Sequence, residues 1–177
     1  MKKIFLLIFI FLHFHSVSLA KNLKFKKIAS LDKPWGSSFI SNDEIIITEK
    51  SGKIKIVNTL NGNVAEIKHN LNFLEYGQGG LLDILYKDNF IYVSYTENRA
   101  NWKTSTSIAK AKLDRQNLLF KNIFQANPPI DSGYHFGSRL AIKDNYLYAS
   151  AGERGKGMIA QDASKHPGSI IRIHLDG

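Results

Sequence analysis

Residues 143–155 read KDNYLYASAGERG, and residues 87–99 read KDNFIYVSYTENR, a match without a gap. Each copy is a Lys-Asp-Asn turn followed by an apolar, aromatic-rich run, the pattern of a β-strand leaving a tight hairpin. A third copy, NDEIIITEKSG at residues 42–52, fits the same frame. The strands that return from these runs also match: GKIKIV at 52–57, SIAKAKLD at 107–114 and GSIIRIHLDG at 168–177. The copies are offset by roughly 45 and 56 residues, the spacing of four-stranded propeller blades. No stretch after the first twenty residues carries helical periodicity. The fold expected is therefore all-β, a propeller of four-stranded antiparallel blades.

Worked outward from these copies, the chain divides into about three such units. The first has strands at 34–40 (short and buried), 44–48, 53–57 and 64–67, with Asn61-Gly62 as a hairpin signal. The second has strands at 81–86, 90–95, 104–113 and 118–124. The third opens at Arg139, turns at Lys143-Asp144-Asn145 and returns over 169–175. Residues 23–31 are read as a further strand that begins or closes a sheet. A blade buries its faces only against its neighbours, and small propellers have about four blades. Three units are too few to close a ring, so the chain is read as part of a longer propeller, cut at a blade boundary.

The start of the chain has a different role. Lys2-Lys3, an apolar run from Ile4 to Leu12, and Ser18-Leu19-Ala20 make residues 1–20 an export signal, leaving 21–177 as the mature part. That run is too short to span a bilayer, which takes roughly 20 residues. A periplasmic or secreted location follows, with no membrane span after signal removal. The chain has no cysteine, which excludes disulfides and thiolate metal sites. The net charge of +9 is spread along the strands without interleaved aromatics, so no nucleic-acid partner is expected.

The chemistry concentrates where the third unit begins and turns. His135 precedes its first strand and Glu153 follows its second, so the hairpin between them brings the two side by side. An imidazole held by a carboxylate at the mouth of a sheet is a general-base arrangement. The plainer alternative is a turn histidine that caps a backbone group. No dinucleotide fingerprint accompanies it, because Gly77-Gln78-Gly79-Gly80 lacks both the spacing and the helix.

The segments LDKPWGSSFI, IIITEKSGKIKIV, YGQGGLLDI, YVSYTE, HFGSRL, ASAGER, AQD and HPGSIIRIHLDG stand in order between Leu31 and Gly177. Together they resemble the soluble glucose/sorbosone dehydrogenases, aldose sugar dehydrogenases that use pyrroloquinoline quinone (PQQ). The resemblance implies a six-bladed propeller that oxidises an aldose at its anomeric hydroxyl and passes hydride to the quinone. It implies His135 as the general base, Glu153 as the acid that orients it, and Gln78 as a cofactor neighbour. It also implies an external electron acceptor and a calcium ion whose ligands, with most of the cofactor contacts, would lie beyond Gly177. No metal ligand is assigned within the chain. Ser138 stands where relatives commonly have glycine, and Lys50 where they often have arginine; both are expected to matter little. His69 and His166 match no functional position and are read as structural or surface residues. Two other readings stay open from the residues alone: a non-catalytic propeller that binds carbohydrate or protein, and a lactonase-like hydrolase.

Overall fold

A computed structural model describes residues 24–177; residues 1–20, read above as an export signal, lie outside the described residues. The chain runs through twelve strands and one short 3-10 turn at Gly157–Gln161, with no α-helix among the described residues. The first sheet contains β1 (Pro34–Phe39), β2 (Glu44–Glu49), β3 (Ile54–Asn58) and β4 (Val64–His69) as an antiparallel meander. The second is built from β5 (Leu81–Lys87), β6 (Phe90–Asn98), β7 (Thr104–Lys112) and β9 (Lys121–Gln125), and the third from β10 (Gly137–Lys143), β11 (Tyr146–Ala151) and β12 (Ser169–His174). The short β8 (Asn117–Leu118) joins the first sheet, parallel to β4.

The turn residues explain the hairpins. Asp88 and Asn89 adopt φ of 48° and 65°, and Asp144 adopts 54°, the left-handed conformations that a two-residue hairpin loop requires. The sheets then stack on one another. Ile46, Ile54 and Ile56 of the first sheet pack against Leu81, Ile84, Ile91 and Val93 of the second. Tyr92 and Ile108, on the opposite face of the second sheet, pack against Leu140, Leu147 and Ala149 of the third. This is why β6 is buried almost throughout, whereas β12 alternates: both faces of the middle sheet are covered.

One device recurs in all three sheets. The innermost strands β1, β5 and β10 each carry a register shift near their third residue, between Pro34 and Ser37, Leu81 and Ile84, and Gly137 and Leu140. At each shift a hydroxyl from the neighbouring strand accepts an innermost-strand N–H: Thr48 from Gly36, Ser94 from Asp83, and Ser150 from Arg139, all at 3.0 Å. Thr48 and Ser94 also donate to the innermost strand of the next sheet, at Leu82 O and Ser138 O. The hydroxyls of Thr48 and Ser94 thus clip the first two bulges to the adjacent sheet. Asp83 adds a second clip, accepting the N–H of Leu140 at 2.8 Å and a guanidinium N–H of Arg139 at 3.1 Å.

Three expectations need correction. Residues 24–31 form no strand; Phe25 is 92% exposed and makes no ladder. β1 is not a buried strand, because only Gly36 of its six residues is covered, against the second sheet. The strand expected at 118–124 is split. Leu118 and Phe120 turn into the apolar cluster between the first two sheets, and Asn70 caps Phe120 through both its N–H (2.8 Å) and its carbonyl (3.1 Å). β9 therefore starts only at Lys121.

Candidate active site

The β10–β11 hairpin pairs Gly137 with Ala151, so the residues just outside it face each other. His135 Nδ1 forms a hydrogen bond with Glu153 Oε1. The Gly155 N–H donates to the same carboxylate oxygen at 3.1 Å. The His135 hydrogen bond, followed by the backbone contacts, holds the Glu153 carboxyl below the usual carboxylate range, although slight burial opposes this. Both groups reach solvent, with side-chain exposures of 52% for His135 and 28% for Glu153. A carboxylate on Nδ1 fixes the tautomer that leaves Nε2 as the basic nitrogen.

Gln78 arrives from the loop before β5. Its side-chain oxygen accepts the backbone N–H of His135 at 2.9 Å, and its own N–H donates to Gly133 O at 2.7 Å. The two loops touch backbone to backbone: a Cβ on Gly77, whose φ is +58°, would lie 2.4 Å from Gly133 O. That contact explains the glycines beside Gln78 and His135. Lys50 Nζ donates to Gly77 O, so the first sheet also braces this loop. All three predicted site residues, His135, Glu153 and Gln78, are therefore brought together.

Arg154 was not anticipated. It is 2% exposed and fills the space beneath the His135 loop. Only its place next to Glu153 in ASAGER hints at it, because a sequence does not show which arginine is buried. Ser138 also proves less neutral than its size suggests. It is fully buried with φ of 80°, a conformation that suits glycine better. His69 and His166 are structural, as read. The His69 ring sits against Phe73 and Phe120 and bonds Gly52 O through Nε2, while His166 Nδ1 accepts the Asn127 N–H at 2.9 Å. Among the described residues, no three His, Asp or Glu side chains gather into a metal site, and no helix is long and apolar enough to cross a membrane.

The family model described as Glucose / Sorbosone dehydrogenase matches residues 31–177. The chain belongs to this family. Among curated relatives, it is 30% identical over 157 residues to the aldose sugar dehydrogenase YliI of Escherichia coli, covering 83% of this chain and 42% of that protein. A crystal structure titled as a glucose dehydrogenase superposes with a TM-score of 0.78 at 28% identity, over 83% of this chain and 46% of that one. The PQQ-bound aldose sugar dehydrogenase of Streptomyces coelicolor shares the fold, with a TM-score of 0.76 at 24% identity, over 86% of this chain and 48% of that one. The chain thus spans less than half the length of these relatives.

Proposed function

We propose that this family member is the N-terminal part of a six-bladed propeller that oxidises an aldose at its anomeric hydroxyl, with His135 as general base. The observation that carries the reading is the Glu153–His135 pair, exposed at the end of the third sheet. With Nδ1 engaged by Glu153, His135 receives the hydroxyl proton at Nε2. Glu153 then balances the imidazolium that forms. Gln78 keeps the histidine loop in place while the proton moves. Oxidation of an alcohol also needs a hydride acceptor, which no side chain supplies.

The residues present fit a PQQ cofactor at this mouth. Among the described residues, Gln78 Nε2 and His135 Nε2 have no protein partner, and both residues are exposed. A polar, oxygen-rich quinone bound there would find one amide donor and one imidazole, and Gln78 is the residue that would hold it. When bound, the quinone supplies the hydride acceptor, and an external acceptor then collects the electrons. Calcium has no assigned ligand in residues 24–177. The reading of a longer propeller rests on the coverage of its relatives and on the repeated hydroxyl clips, of which Thr48 and Ser94 each reach the next sheet. An exported location remains part of the proposal through residues 1–20.

The test is aldose oxidation by the full-length protein, with and without PQQ and calcium, followed through an artificial electron acceptor. PQQ-dependent turnover is expected. Sugar binding without turnover would replace the enzyme with a carbohydrate-binding propeller.

A further inference from the structure

Residues 132–136 carry His135 across the site without regular secondary structure, and hydrogen bonds hold this loop on both sides. Gly133 O and the His135 N–H go to Gln78 on one side. On the other side lies Arg154, whose Nε donates to Tyr134 O at 2.9 Å and whose Nη2 donates to Ser132 O. The rest of the guanidinium binds the start of β7, through Nη1 to Thr104 O at 3.2 Å and Nη2 to Thr104 Oγ1 at 2.7 Å. Its plane lies 3.6 Å from the centre of the Phe136 ring. Among the described residues no carboxylate pairs with it. Glu153, its neighbour in sequence, is committed to His135.

A buried cation without a counter-charge is costly, and burial lowers the Arg154 pKa to about 10. A fold that needed only packing here would be served by leucine or methionine. What the guanidinium adds is a rigid fork of donors, able to hold carbonyls from two segments at fixed separation. The carbonyls it holds, of Ser132 and Tyr134, flank Gly133 and immediately precede His135.

We infer that Arg154 is the positioning residue for the base: it pins the 132–136 loop to β7 and so sets the imidazole against Glu153. The inference rests on the reading of His135 as the base. Gln78 and Arg154 together form a clamp, one on each side of the loop, and Arg154 is the half that touches no solvent.

The experiment uses the full-length protein loaded with PQQ. Arg154→Met removes the fork while keeping the bulk, and Arg154→Lys keeps the charge. Misplacing a reacting group by about 1 Å costs roughly 10²-fold in rate. Arg154→Met is expected to lose roughly that in kcat per folded, PQQ-binding molecule, with the aldose KM and PQQ affinity nearly unchanged. Arg154→Lys should recover part of the loss. Amide exchange in the peptide covering 131–136 should accelerate in both. Wild-type kcat in folded Arg154→Met, or unaltered exchange in that peptide, overturns the inference. If Arg154→Met does not fold, Arg154→Lys decides: a lower kcat with faster exchange at 131–136 supports the clamp, and wild-type kcat with wild-type exchange refutes it. His135→Ala separates the two claims. If it leaves turnover intact, the base assignment fails, while the exchange measurement still tests the pinning by itself.

Discussion

Gly152→Ala tests the hairpin that joins the base to its carboxylate. A Cβ built at Gly152 lies 1.9 Å from His135 O, and contacts below 3.0 Å are essentially never tolerated. An ordinary contact begins near 3.4 Å, so the His135 backbone and residue 152 must separate by about 1.5 Å. The atom in the way is backbone, which cannot rotate aside. Both neighbours of the clash are tied as well, since the Gly152 N–H donates to Phe136 O at 3.0 Å and Glu153 holds the ring. The strain is therefore expected to cost about 1–3 kcal/mol of stability, as for an overpacked core. A shift of that size should lower aldose turnover by roughly 10²-fold. Gly157→Ala is the matched control, because a Cβ there meets nothing within 4 Å. Melting temperature and kcat are measured on both variants of the full-length protein. Wild-type turnover and melting in Gly152→Ala would show that His135 and Gly152 are not packed as described.

Glu153→Gln should keep a hydrogen bond to His135 while losing the charge that balances the imidazolium, lowering kcat by roughly 10–100-fold as for other carboxylates behind a working histidine. Because the Glu153 pKa is depressed, its stabilising contribution is present above the ordinary carboxylate value of about 4.3 and lost as pH falls through the depressed one. The melting-temperature difference between wild type and Glu153→Gln should accordingly be lost only as pH falls below the ordinary carboxylate range, and a difference that disappears near neutrality would count against the pair. Lys55→Ala should cost about 3–5 kcal/mol. Its Nζ lies 2.7 Å from Glu49 Oε1, on a carboxylate with no exposed surface. Burial opposes ionisation of Glu49, but Lys55 and the Asp32 N–H outweigh it and keep the group charged. Lys53→Ala, which breaks an exposed 3.6 Å pair with Glu66 and removes only the smallest of the influences on Glu49, is the control for denaturant unfolding and should change little. Expressed alone, the chain exposes Trp35 and Phe39 on β1 and Ile170 on β12, and sedimentation should show it self-associating. A monomer with a cooperative melt would argue against the longer propeller.

The hairpins were legible because Lys-Asp-Asn recurs, and its Asp and Asn accept the left-handed backbone that a short loop between two apolar runs needs. That the His135 and Glu153 ends lie together was legible from the hairpin at Asp144, but the one-residue register shift between Gly137 and Leu140, which sets Glu153 rather than Arg154 opposite His135, was not. The strand at 118–124 was misjudged because Leu118 and Phe120 have the composition of a strand. Their fate is decided by Asn70, some fifty residues away, which binds Phe120 at both polar atoms. β1 was misjudged for a related reason, since an apolar sequence does not reveal which of its faces has a neighbour. Gln78 was expected beside the cofactor, and the fold gives it a further task, capping the N–H of His135. Arg154 was hard to see because three of its four hydrogen-bond partners, Thr104 O, Ser132 O and Tyr134 O, are backbone carbonyls, which any sequence supplies.

The most direct test of the proposed chemistry is the steady-state rate of aldose oxidation by full-length His135→Ala, with PQQ binding measured on the same sample. Loss of a general base lowers turnover by roughly 10²–10⁴-fold. That loss is expected here with PQQ still bound, because Gln78 reaches His135 only through its backbone N–H, which alanine retains. Turnover equal to wild type at full PQQ occupancy would contradict the assignment of His135 as the base.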